Sequence, residues 1–138
     1  MPLTPEVSLV AHVENVTEGS VALANVFVQN YQTQVDFDVL IVSALLHDVS
    51  KLIEMEPGKE AIEKTKIGKT FQHGYFGAYM AQKYGLPDSI VTNILTHTGF
   101  SKTLPSTIEG IFLFYADMAD SDAHRFEDGI ALNILHHK

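Results

Sequence analysis

The sequence predicts an all-α protein, a compact single-domain bundle of five to six helices. Apolar residues recur at helical spacing along most of the chain, punctuated by Gly and Pro, while the alternating pattern of strands hardly appears. The 138 residues are 46% apolar and 19% charged, enough to bury one core, and the length is that of one domain. One domain over residues 1–138 is therefore expected.

The first helix is expected from about Pro5 to Tyr31, with Gly19 as the place where it would break. Val10, Val13, Val21, Leu23, Ala24 and Val28 are expected to face inward. Asp36 or Asp38 would cap a second helix running through Val39, Leu40, Val42, Leu45 and Leu46 to the region of Leu52. From Met55 to Phe71 the chain turns polar and carries Pro57, Gly58 and Gly68, which reads as a loop with one helical turn. A third helix runs from about His73 to Tyr84, with Gly85 as the residue that ends it. Pro87 and Asp88 open a fourth, with Ile90, Val91, Ile94 and Leu95 on its buried side. Thr98 to Pro105 reads as a loop. After Ser106, the run Ile111 to Ala116 is apolar all round, as a helix surrounded by others would be. A last helix is expected over Glu127 to His136.

Composition excludes several function classes. The formal charge is −8, from 17 acids and 9 bases, and Arg125 is the single arginine. Duplex nucleic acid and polybasic membrane contacts both require the opposite balance. The chain has no Cys, which removes disulfide scaffolds, thiolate zinc sites and Cys nucleophiles and fits a reducing cytoplasm. No basic residue precedes an apolar stretch in Met1 to Val10, so no secretory signal is expected. The longest apolar runs, Val39 to Val42 and Ile111 to Ala116, fall far short of the roughly 20 residues of a membrane helix.

Seven His in an acidic, Cys-free chain point towards metal ions. His12 lies among Val10, Val13 and Val16. His47 and Asp48 are adjacent at the end of an apolar helix, His73 opens the third helix and His97 closes the fourth. Asp117 directly follows the apolar run, where an unpaired carboxylate is costly to desolvate and needs a partner or a metal. A lone His near a helix end is more often a cap or a surface residue, so singly these decide nothing. His124, His136 and His137 lie near the polar C-terminus and read as surface.

Order and spacing decide more. The series His12, His47-Asp48, His73, His97, Asp117 resembles the HD-domain superfamily of metal-dependent phosphohydrolases, from His12 to about Asp120. Ala44-Leu45-Leu46-His47-Asp48-Val49-Ser50-Lys51 is similar to its central motif, His-Asp-Ile-Gly-Lys, with Ser50 in place of the Gly. His73-Gly74, Gly77-Ala78, Gly85-Leu86-Pro87, Ile94 to His97 and Ala116-Asp117 follow its further cues. The resemblance implies a bundle with the metal site in its core. His12, His47, Asp48 and Asp117 would hold one divalent ion, and His73 and His97, with Asp48 as a bridge, a second. Two ions are expected over one. Nitrogen and oxygen donors suit Fe, Mn, Co, Ni, Zn or, less readily, Mg.

The implied reaction is hydrolysis of a phosphoester or phosphoanhydride of a small phosphorylated molecule, a nucleotide or a related compound, by a metal-bound hydroxide. Asp48 and Lys51 would be catalytic. Lys51 lies four residues after His47, on the same helical side, and would orient the phosphate; a solvated helix-end Lys is the plainer alternative. Lys51, Lys59, Lys64, Lys66 and Lys69 are five of the nine basic residues, offset in part by Glu54, Glu56, Glu60 and Glu63. Lys64 to Lys69 reads equally as a phosphate lid and as a solvated loop. His97-Thr98-Gly99 and Asp117 with Arg125 resemble relatives that hydrolyse dinucleoside polyphosphates, without a clean match beyond Asp117; Arg125 reads as an ordinary surface residue. Two other classes share the ligand pattern. A diiron oxygenase of HD type is disfavoured by Lys51, and a non-catalytic metal-stabilised sensor or scaffold by the complete ligand set. Substrate identity and oligomeric state are open in the sequence.

Overall fold

The structure, a computed structural model, describes residues 8–99 and 101–136. Residues 5–7 of the expected first helix, His137 and the side chain of His136 lie outside the described residues. The Ser8 hydroxyl accepts from the Ala11 amide at 3.0 Å and so starts α1, Leu9–Tyr31. The helix runs through Gly19 without a break, because Gly19 lies against Ala116 in the core contact, where an added Cβ would stand 3.5 Å from the Ala116 Cβ. Its buried residues are His12, Val16, Ser20 and Ala24, one stripe at four-residue spacing. Val10 and Leu23, expected inward, are exposed. Two polar residues in the buried stripe shift its phase away from the one that apolar residues alone indicate.

Asp36 caps α2, Phe37–Leu46, by accepting from the Val39 amide at 3.1 Å. This helix does not continue to Leu52 as expected. It stops at Leu46, turns through His47 to Ser50, and resumes as the single turn α3, Lys51–Glu54. The polar segment that follows is not a plain loop either. Met55–Pro57 (β1) and Ile62–Lys64 (β2) pair antiparallel, and Thr65 then caps the single turn α4, Lys66–Thr70.

Three longer helices complete the body: α5 (Tyr75–Lys83), α6 (Asp88–Thr96) and α7 (Ile108–Glu127), the last capped by Thr107 accepting from the Gly110 amide at 2.9 Å. Helix α7 extends to Glu127, and a 3₁₀ turn at Asn133–His136 replaces the expected final helix. Ile111 and Tyr115 are exposed, so α7 is covered on one side and not all round. None of the described helices is long and apolar enough to cross a membrane.

Helix α2 is the centre, packed against α1, α6 and α7. Val16, Ala44, Leu113 and Ala116 join α1, α2 and α7; Ala24, Leu40 and Phe112 join the same helices at the other end. Ala78, Ala81, Ile90 and Ile94 pack α5 on α6, with Val39, Val42 and Leu46 of α2 against them. A buried polar link crosses this core. Asn93 donates to the Ser43 hydroxyl at 3.2 Å and accepts from the Thr107 hydroxyl at 2.6 Å, tying α6 to α2 and to the start of α7. Removing one member strands the other two. Asn93→Ala is expected to cost about 2 kcal/mol of stability, read as a lower urea midpoint at unchanged slope.

Candidate metal centre

The six candidate ligands, drawn from five separate segments, are brought together by the fold. His12 projects from the first turn of α1. His47 and Asp48 occupy the turn after α2, Asp117 lies on the α7 face next to Ala116, and His97 follows the last residue of α6. His73 precedes α5, and Gly74 after it adopts a φ of 92°, in the left-handed region. A Cβ at Gly74 would also stand 3.2 Å from the His97 ring, so the glycine lets the two imidazoles meet.

The six form two groups that share one carboxylate. His12, His47, Asp48 and Asp117 offer one ligand atom each, all within 4.8 Å of one another, and Asp48, His73 and His97 form a second such set. In the first, Nε2 of His12 lies 3.0 Å from Oδ2 of Asp48 and 3.0 Å from Oδ1 of Asp117, while Nε2 of His47 lies 3.4 Å from His12 Nε2 and from Asp48 Oδ2. In the second, Asp48 presents its other oxygen. Oδ1 is 2.8 Å from Nε2 of His73 and 3.4 Å from Nε2 of His97, and those nitrogens are 3.1 Å apart. Two donors each about 2.1 Å from one ion stand roughly 3.0 Å apart in octahedral and 3.4 Å apart in tetrahedral coordination. The separations above, 2.8 to 3.4 Å, lie close to that spacing, and His47 Nε2 to Asp117 Oδ1 is longer at 3.7 Å.

The far side of every imidazole supports the same function. Nδ1 of His47 donates to the Ala44 carbonyl at 2.6 Å, and Nδ1 of His97 to the Ile94 carbonyl at 2.5 Å. Nδ1 of His12 donates to Asp120 at 2.6 Å, and Nδ1 of His73 to Glu54 at 2.7 Å. A proton fixed on Nδ1 leaves the Nε2 lone pair of the neutral ring for a cation, and the acceptor holds the ring in orientation. The donor set therefore fits divalent metal.

Electrostatics in the absence of a cation follow from the same contacts. Burial disfavours a charged imidazole, but Asp117 and Asp48 outweigh it at His12, which is pushed up to about 9. At His47 burial is likewise overcome, by Asp48 and Asp117, and the value rises to about 10. Burial opposes charge at His73 too, where Asp48 and Glu54 raise it; at His97 burial prevails and lowers it. Burial would raise the Asp48 and Asp117 carboxyls, yet the imidazoles around them hold both well below the usual carboxylate range.

Asp120 and Glu54 were not among the sequence-derived candidates. Asp120 sits one helical turn after Asp117, a spacing that could have flagged it. Glu54, on α3, has no comparable signal, because its contact with His73 depends on the turn after α2. Among the predicted residues, Lys51 is buried beside the centre, with Nζ 3.6 Å from Asp48 Oδ2. Lys64 and Lys69 line a cavity that also reaches His73 and Lys51. His124 is half-buried, 3.7 Å from Asp120. Arg125 is not a free surface residue: it donates to the Ala131 carbonyl at 3.0 Å and pins the segment after α7.

The sequence matches the HD domain family over residues 9–122. The chain belongs to that family. It is 30% identical over 128 residues to the dihydroneopterin 2',3'-cyclic phosphate phosphodiesterase of Methanocaldococcus jannaschii, a match covering 84% of this chain and 47% of that protein. The HD domain described here thus spans about half the length of the curated relative it matches. No solved structure gives a significant match.

His12 and His47, raised above the ordinary 6.5, keep protons that the unfolded chain has lost. Their contribution to stability is complete below about pH 6.5 and disappears as pH rises through 9 to 10. Chelator-treated protein should therefore lose thermal stability from neutral to alkaline pH. Added divalent metal should restore it, release protons and bind more tightly as pH rises; a flat profile in calorimetry and thermal melts would contradict this. Glu54→Ala should lower uptake at the His73–His97 group by about 10- to 100-fold, whereas Glu54→Gln, which still accepts from Nδ1, should retain most of it, measured by metal titration.

Proposed function

We propose that this HD domain is a metal-dependent phosphohydrolase, acting on the phosphoester of a small molecule and forming one domain over residues 1–138. The observation that carries the reading is Asp48, whose two oxygens each face a separate group of imidazoles. His12, His47, Asp48 and Asp117 would hold one divalent ion, and Asp48, His73 and His97 a second. When bound, such ions supply Lewis-acid polarisation of phosphoryl oxygens and acidify water at neutral pH.

The protein's own residues do the rest. Asp120, Ala44, Glu54 and Ile94 hold the four rings so that Nε2 faces the centre. Lys51 brings an ammonium beside Asp48, where it can pair with a phosphate oxygen as negative charge develops. That cation, at the position of the phosphohydrolase-like motif, favours hydrolysis over the oxygenase chemistry that shares the ligand set. The relative named above is, by its name, a phosphodiesterase for a cyclic phosphate; a cyclic phosphodiester or a nucleotide is the substrate class inferred here. A cytoplasmic location accords with the Cys-free composition.

Protein loaded in turn with Mn, Fe, Co, Ni, Zn and Mg is expected to hydrolyse nucleoside cyclic phosphates or monophosphates. Asp48→Ala should lose metal and activity together, by elemental analysis and phosphate release. Lys51→Ala should keep its metal and lose about 100-fold in kcat. Fully loaded wild-type protein that cleaves no phosphoester, or that consumes dioxygen instead, would overturn the reading.

A further inference from the structure

A cavity of 430 Å³ lies beside the centre, lined by Lys51 and His73 together with Met55, Lys64, Lys69 and Phe71. Its volume is in the range of small-ligand sites. One side of the cavity is fixed to α3, the helical turn that begins at Lys51. The Thr65 amide donates to the Glu54 carbonyl at 2.8 Å and the Thr65 hydroxyl to the Ile53 carbonyl at 2.6 Å. Gly68 approaches so closely that a Cβ there would collide with the Glu54 carbonyl.

The β1–β2 hairpin sorts the charge of this segment. Met55 pairs with Lys64 and Glu56 with Glu63. Paired residues share a face and successive pairs alternate, so Met55 and Lys64 lie on one face and both glutamates on the other. Met55 and Lys64 line the cavity and the two glutamates do not. Among the described residues, neither Lys64 nor Lys69 has a carboxylate within 4.0 Å. The one acid in the wall, Glu54, is engaged by His73. Phe71 is 40% exposed and stacks on Tyr75 with ring centroids 5.2 Å apart and planes 9° from parallel, which fixes the ring at the cavity wall.

We propose that this cavity seats the organic part of the substrate, with a planar aromatic ring against Phe71 and Met55 and a second anionic group, beyond the scissile phosphate, between Lys64 and Lys69. The proposal rests on the hydrolase reading above and adds what the site selects. A ligand whose phosphate lies at Lys51 and His73 would set its remainder against Met55 and Phe71 and meet the ammoniums of Lys64 and Lys69.

The test compares an adenosine cyclic phosphate with the same compound carrying a further phosphate, using the metal-loaded full chain. The expected result is a KM about tenfold lower for the more phosphorylated compound, an advantage that shrinks with added salt and falls to about one in Lys64→Ala/Lys69→Ala. Both lysines are exposed, and circular dichroism checks that the variant is folded. Phe71→Leu should raise KM for both adenosine compounds more than for a ribose cyclic phosphate that lacks the base. Equal KM values for the two compounds in wild-type protein, or a preference that survives the double variant, would overturn the proposal and leave the hydrolase reading standing. If neither compound is cleaved with any metal, the hydrolase reading fails, and calorimetric binding of the same two compounds decides the cavity: a lysine-dependent preference supports it, and none overturns it.

Discussion

The carboxylate of Asp48 is the point on which the rest of the structure depends. It is 2% exposed, and its two oxygens are approached by four imidazole nitrogens and the Lys51 ammonium. A carboxylate buried to that degree is tolerated only when positive charge and hydrogen-bond donors surround it. Each surrounding imidazole is buried or half-buried in turn and needs an acceptor behind it. The fold supplies one from a different element each time: the Ala44 carbonyl in α2, the Ile94 carbonyl in α6, Glu54 in α3 and Asp120 in α7. The helices thus contribute their ends and inner carbonyls as well as their apolar faces.

This requirement shapes the local structure. After Leu46 the chain tightens into a turn held by i→i−3 bonds, from the Val49 amide to the Leu46 carbonyl and from the Lys51 amide to the Asp48 carbonyl, with His47 and Ser50 still in right-handed helical conformation. Asp48 lies there between the two groups of imidazoles, with Lys51 Nζ 3.6 Å from it. Gly74 serves the same end from the other side, since its left-handed φ allows His73 to lie against His97. The apolar core is accordingly divided. Val16, Ala44, Leu113 and Ala116 pack on the α1–α7 side and Ala78, Ala81, Ile90 and Ile94 on the α5–α6 side.

What the sequence makes legible follows from these constraints. The helical class is readable because apolar periodicity is a local property of the text, and the six clustered residues because their order along the chain resembles that of a known family. The buried phase of α1 is not, since His12 and Ser20 occupy core positions in a stripe that hydrophobicity alone would set differently. The hairpin is hidden for a similar reason: three-residue strands rich in Glu and Lys carry no alternation of apolar and polar residues. Asp120 and Glu54 act by touching a ring rather than by facing the centre, so their roles appear only once His12 and His73 have been placed.

The charge of the chain gains a different meaning in three dimensions. A net −8 spread evenly would repel any phosphate ester. Here two of the acids, Asp48 and Asp117, are surrounded by imidazoles, Glu54 and Asp120 are engaged by His73 and His12, and Glu56 and Glu63 lie on the hairpin face away from the cavity. Lys51, Lys64 and Lys69 remain along the cavity wall. Two divalent ions at the centre would outweigh the two Asp carboxylates between them and add to the same field. An acidic protein can in this way present a positive path to a phosphorylated ligand, because the fold, not the composition, decides which charges the ligand meets.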